Sequence, residues 1–191
     1  AIDPSGNAYV TGSFWGTTTF DNTNLTSNGE GDIFVAKLSS SGSWQWVVKA
    51  GGGGADSGQG IAVDSSGNVY VTGYFEYSST FGSTSLTSEG SYDAFTGQLS
   101  SSGNWVWADN AGGAGSDSGN SIGLDLNGVG YFGGTFQGDA EIGMQDFTCH
   151  STTSSCAMFA KMPVYQTPPL EIVTSSLPDG TAGSSYTTTL S

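Results

Sequence analysis

The sequence predicts an all-β fold, an array of four-stranded antiparallel units repeated three times. Three observations carry this. The first is a period. The stretch Gly60-Ile61-Ala62-Val63-Asp64-Ser65-Ser66-Gly67-Asn68-Val69-Tyr70-Val71-Thr72-Gly73 has an earlier copy in Ala1-Ile2-Asp3-Pro4-Ser5-Gly6-Asn7-Ala8-Tyr9-Val10-Thr11-Gly12. A later copy is Ile122-Gly123-Leu124-Asp125-Leu126-Asn127-Gly128-Val129-Gly130-Tyr131-Phe132-Gly133-Gly134. Asp3, Asp64 and Asp125 fall 61 residues apart, and a fixed spacing of this size marks a repeat architecture. The second observation is alternation: Val69 and Val71 against Tyr70 and Thr72 is a β-branched and aromatic run suited to a pleated surface. The third is that 31 of 191 residues are glycine and no apolar three-to-four spacing is sustained, so no helix is expected.

The elements follow in order within a unit. Asp64-Ser65-Ser66-Gly67-Asn68 is turn chemistry, because Asp and Asn bond nearby backbone and Gly supplies positive φ. It joins strands 61–63 and 69–73 into a hairpin. A second hairpin pairs 94–99 with 105–108 across residues 100–104, and the first unit repeats it as 33–38 and 44–48 across 39–43. The Ser/Thr/Gly-rich stretches between hairpins, such as 76–90, read as longer loops with a short extra strand near 85–87. Further landmarks keep the same offset: Phe14, Phe75 and Phe136; Phe20, Phe81 and Ile142; Leu25, Leu86 and Phe147; Gly51-Gly52 and Gly112-Gly113; Asp56 and Asp117. The units run over about 1–50, 51–111 and 112–162. Residues 163–169 carry prolines and read as a linker, and 170–191 as the start of a further β segment.

Seventeen acidic residues against three basic ones give a net charge of −14. That opposes nucleic acid, which is held by Lys and Arg on phosphates, and an anionic membrane surface equally. No apolar run approaches the ~20 residues of a membrane span, so no membrane insertion is expected. The chain begins inside a repeat, so a true N-terminus is expected upstream. Cys149 and Cys156 lie in a part of the third unit that carries two additional residues, and the expectation is a disulfide closing that elongated loop in an oxidising compartment. A metal site with His150 would have three ligands at most, two adjacent in sequence, without the usual zinc spacings.

The unit resembles the bacterial β-propeller repeats known as SBBP repeats. The residues that carry the likeness are 60–75, then Asp93-Ala94-Phe95, then Leu99-Ser100-Ser101-Ser102-Gly103-Asn104-Trp105-Val106-Trp107, with Phe34-Val35-Ala36-Lys37-Leu38 in the first unit. The third unit diverges most, with Cys156 where the others have Asp32 and Asp93. The resemblance covers about residues 1–163. It implies a propeller-type fold in secreted or cell-surface proteins, with no single activity attached. Residues 170–191, from Leu170-Glu171-Ile172-Val173-Thr174 onward, look like the opening of the Ig-like domains of bacterial surface proteins. Propellers close with ~4 to ~8 blades, so three units imply either a piece of a longer chain or association between chains.

Candidate sites were weighed on residue chemistry. Asp3, Asp64 and Asp125 are candidate calcium ligands, but Asp64, Ser66 and Asn68 offer one carboxylate and two neutral oxygens, so a turn-stabilising role is expected and no cofactor is required. Asp56 and Asp117 take the same reading. Gly51–Gly54 and Gly112–Gly115 lack the Lys-Ser/Thr ending of phosphate loops. Trp44, Trp46, Trp105 and Trp107 alternate and are expected between blades. Trp15 and Tyr77 break the repeat and are the candidate surface or glycan contacts, and Asn24-Leu25-Thr26 fits an N-glycosylation acceptor at Asn24. The expected role is a non-enzymatic extracellular structural or interaction module of a large cell-surface or filament-forming protein. A carbohydrate-binding propeller module is the alternative, and a fragment of a propeller hydrolase the third. The first unit has only Ala1-Ile2 where the second has 60–63, so its expected partners are copies of itself or neighbouring domains joined by strand addition.

Overall fold

A computed structural model of the chain describes residues 1–142, 145–149 and 155–162. In chain order the strands are β1 (Ala8–Phe20), β2 (Thr23–Leu38), β3 (Trp44–Gly52), β4 (Ser57–Val63), β5 (Val69–Phe75), β6 (Ser78–Phe81) and β7 (Thr84–Thr87). They continue with β8 (Asp93–Leu99), β9 (Trp105–Gly112), β10 (Ser118–Leu124), β11 (Gly130–Phe136), β12 (Asp139–Ile142), β13 (Gln145–Thr148) and β14 (Cys156–Lys161). There is no helix among the described residues. The linker at 163–169, the Ig-like segment at 170–191 and His150 lie outside them.

The second unit is a four-stranded antiparallel blade in the order β4-β5-β8-β9. Its first turn closes where the sequence has Asp64 to Asn68: Gly67 sits at φ 84° and donates its N–H to the Asp64 carbonyl. Gly6 and Gly128 hold the same conformation at φ 79°, which is why all three units keep glycine there. The first unit contributes β1-β2-β3, with its innermost strand reduced to the bridge between Ile2 and Ala8. The third contributes β10-β11-β14.

The stretches expected as loops are different from the sequence reading. Each holds a two-stranded hairpin, and that hairpin leaves its own unit. β6 and β7 pair with each other, and β6 then pairs with β3 of the first unit, Gly51 opposite Thr80 and Gly52 opposite Ser79. One period later β12 and β13 pair, and β12 joins β9 of the second unit, Gly112 opposite Glu141 and Ala111 opposite Ile142. The two junctions share one register. The first blade's sheet therefore grows to five strands and the second's to six. Strands of four residues carry little sequence signal, and the second partner of β6 and of β12 lies in another unit.

Two apolar cores fill the spaces between blades. One joins Tyr9, Ile33 and Val35 of the first blade to Val69, Val71, Phe75, Phe81, Phe95 and Leu99 of the second. The other joins Ala94 and Ala111 of the second to Phe132, Phe136, Met158 and Ala160 of the third. Alternation in β5 sends Val69 and Val71 to the first core and Tyr70 toward the second. Trp46 and Trp105 pack against the first core and Trp107 against the second. Trp46 Nε1 donates to the Ser101 carbonyl at 3.1 Å, and Trp105 Nε1 to that of Lys49 at 3.3 Å, so the pair bonds across the blades in both directions.

Candidate functional site

The junction where a hairpin joins the preceding blade is assembled from glycine and aspartate. A Cβ on Gly52 would fall on the Ser78 carbonyl, and one on Gly113 on the Asp139 carbonyl. These backbone atoms belong to the arriving hairpin, so only glycine lets it approach. Asp56 then ties the seat to the hairpin. It is 1% exposed, and its carboxylate accepts the Gly52 N–H at 2.8 Å, the Ser79 hydroxyl at 2.8 Å and the Glu76 N–H at 3.1 Å. Burial pushes its pKa up to about 6 against those three donors, with the neighbouring Asp32 adding to the rise. Asp117 repeats the arrangement, accepting the Gly113 N–H at 2.9 Å and the Gln137 N–H at 3.0 Å, and burial raises it too.

Asp32 and Asp93 hold the strand on the other side of the junction. Each lies opposite an equivalent phenylalanine, Phe14 and Phe75, and accepts a backbone N–H four residues back, from Asn28 and Glu89. Cys156 takes this position in the third unit, opposite Phe136, and is bonded to Cys149. The disulfide thus covers the span that a buried carboxylate covers in the other two units.

The turn aspartates are spread over three separate turns. Asp64 Oδ1 accepts the Ser66 and Asn68 N–H groups at 2.8 and 2.9 Å, and Oδ2 accepts Asn68 Nδ2 at 2.9 Å. Asp3 makes the same three bonds with Ser5 and Asn7. Asn7 chiefly, through its side-chain N–H, holds the Asp3 carboxyl below the usual range, and at Asp125 the Val129 N–H does so. Trp15 and Tyr77 are 66% and 63% exposed and stand at different repeat positions. Trp15 is the counterpart of Glu76 and Gln137. Tyr77, at φ 58°, is the counterpart of Gly16 at φ 59° and Gly138 at φ 75°. A tyrosine in a glycine conformation is strained backbone. Asn24 is exposed on the first unit's hairpin and accepts the Thr19 hydroxyl at 2.7 Å.

Two features escaped the sequence reading. The first is an open edge. Residues 17–20 and 23–26 are the first unit's counterpart of β6 and β7, continuous with β1 and β2, and β1 stands at the end of its sheet. Their inner side is conserved in kind: Phe20 lies 5.2 Å from Phe34 and 5.3 Å from Trp44, as Phe81 lies 4.8 and 5.2 Å from Phe95 and Trp105. The second is a cleft of about 380 Å³ between the second and third blades, where Tyr74 and Tyr92, 5.2 Å apart, meet Gln59, Glu76 and Gln137. Only the tilted tyrosine pair could have signalled it, and Tyr92 has no counterpart at Gly31 or Ser155.

Residues 45–74 match the family model SBBP, described as a beta-propeller repeat. The chain carries a β-propeller-type repeat. The matched stretch runs from β3 through β4 into β5, so it spans the step from one blade to the next. No curated protein matches the chain. No helix among the described residues is long and apolar enough to cross a membrane.

Proposed function

We propose that the chain is a non-enzymatic extracellular structural and interaction module of a large cell-surface or filament-forming protein, whose hairpin edges take up neighbouring units of the same kind. One observation carries this reading. The hairpins of the second and third units cross to the preceding blade in one register, while the first unit's hairpin ends its sheet. Unpaired main-chain groups at such an edge recruit another strand. The partner is the last strand of another unit, in a second copy or a neighbouring domain, with Thr19 opposite the first glycine of its Gly-Gly and Thr18 opposite the second. The contact is heterologous, so it propagates to a ring or a filament. A disulfide and an acidic, sparsely charged chain suit an oxidising exterior.

The test places a further unit against that edge. A chain in which residues 51–122 precede residue 1 keeps the period, since Ala1 stands in the position of Gly123. The added blade should protect from hydrogen exchange, relative to the original chain, whichever of the consecutive Thr18 and Thr19 amides points away from β2. Amides that exchange as fast as before would refute the reading. The cleft with Tyr74 and Tyr92 favours a second reading, a carbohydrate-binding module, because aromatic faces flanked by amides and a carboxylate suit a sugar. A glycan array that returns a hit lost in Tyr92→Ala would favour it, and an array with no hit would remove it.

A further inference from the structure

The two hairpin junctions are built alike but charged differently. At the first, Lys49 Nζ donates to the Thr26 carbonyl, to Asn28 Oδ1 at 2.8 Å and to Asp32 Oδ2 at 3.3 Å. One period later these positions hold Asn110, Thr87, Glu89 and Asp93. The ammonium has gone and a carboxylate has replaced an amide. Beside them Asp109 stands where the first junction has Val48, and Glu141 where it has Thr80. Over these positions one carboxylate with one ammonium has become four carboxylates with no basic side chain, while Asp56 and Asp117 are common to both junctions.

We propose that this second junction binds a divalent cation of the calcium class in the position that the lysine ammonium fills at the first. The observation independent of charge is a pair of buried, unpartnered acceptors. Asp93 is 0% exposed. Asn110 Nδ2 donates to Asp93 Oδ2 at 2.9 Å, which leaves Asp93 Oδ1 and Asn110 Oδ1, both buried, without a donor. Two such oxygens are destabilising if nothing positive meets them. Asn110 lines a cleft of about 260 Å³ together with Glu89, Asp109, Gly112 and Glu141. Asp93 lies directly behind that lining: a Cβ on Gly112 would come within 2.7 Å of its carboxyl carbon, so only glycine leaves room there.

The donor set is all oxygen: the buried Asp93 Oδ1 and Asn110 Oδ1, with the Glu89, Asp109 and Glu141 side chains lining the cleft. Calcium takes six to eight oxygens in flexible geometry, including amides, carbonyls and waters, whereas magnesium demands a near-ideal octahedron. No three His, Cys, Asp or Glu side chains stand together as a finished cage among the described residues. The buried pair is preformed, and the glutamates at the rim close on the ion. Because Asn110 is on β9 and Glu141 on β12, the ion fastens the third unit's hairpin to the second blade. This site is separate from the turn aspartates Asp3, Asp64 and Asp125, whose oxygens are taken by their own turns.

The test titrates the full 191-residue chain with calcium chloride in about 0.15 M sodium chloride. Amide NMR and calorimetry read the result. One site is expected, with Kd on the order of 10⁻⁴ to 10⁻³ M or tighter and shifts at residues 89, 93, 110 and 141. Asn110→Lys restores the ammonium in a strand position that already accepts lysine in the first unit, and it should weaken binding at least tenfold. Glu141→Gln should weaken it several-fold. Magnesium chloride should bind more weakly than calcium. The proposal is overturned by no binding at about 10 mM calcium, tenfold above the weak end of the extracellular range. It is equally overturned by binding that Asn110→Lys leaves intact, or by shifts confined to the loops of Asp3, Asp64 and Asp125.

Discussion

Asp56 carries both the clearest residue-level pH dependence and a lesson about what a repeat hides. Its carboxyl titrates near 6 when folded and near the ordinary 3.8 when unfolded, because burial outweighs its three donors. A raised carboxyl pKa means the folded state binds the proton more tightly. The stability it contributes is complete below about 3.8 and is lost as pH rises through 6. Melting temperature should therefore rise between pH 7 and pH 5, and Asp56→Asn should flatten that rise while leaving the trend below pH 4 in place. An unchanged slope in the variant would assign the effect to general charge repulsion. From the sequence, Asp56 was legible only as a turn aspartate in a glycine-rich run. Its role needs the Glu76 N–H and the Ser79 hydroxyl, which lie 20 and 23 residues further along the same unit. Cys156 was legible both as a disulfide partner and as the counterpart of Asp32 and Asp93, whereas their shared position opposite Phe136, Phe14 and Phe75 appears only with the strand register.

The strands of the main hairpins could be read because β-branched and aromatic residues recur in them and turns rich in Asp, Ser, Gly and Asn join them. Of the short hairpins only the strand near 85–87 could, as β7, and these hairpins are what joins one unit to the next. Their signature is the Gly-Gly that receives them. The joint can be broken at one position and spared at its neighbour. Gly52→Ala places a methyl group on the Ser78 carbonyl, a backbone atom held by the β6–β3 pairing, and should cost about 2 kcal/mol or more. Gly53→Ala meets nothing within 4 Å and should cost no more than the few tenths typical of surface changes. Chemical denaturation of the two variants decides: equal losses would mean that the run is flexible and the close approach at Gly52 is relaxed at no cost.

Among the described residues, the two large apolar cores each join one unit to the next. Phe81, on a hairpin of the second unit that is paired to the first, is fully buried at that interface. A single unit has nothing to close its faces, which is the energetic reason for repetition. Hairpin exchange adds main-chain hydrogen bonds to apolar contact at each step, so neighbouring units are linked twice. The period, the class and the four-stranded unit follow from the sequence because they depend on local pattern. The crossing hairpins, the open edge at 17–20 and the charge difference between junctions depend on which unit meets which.

The central claim, that each unit's hairpin completes the sheet of the unit before it, is tested most directly by interstrand nuclear Overhauser contacts in the isotope-labelled chain. Contacts should link Gly51 and Gly52 to Thr80 and Ser79, and Ala111 and Gly112 to Ile142 and Glu141. A spectrum in which residues 78–87 show contacts only within their own hairpin and to strands of their own unit would contradict it.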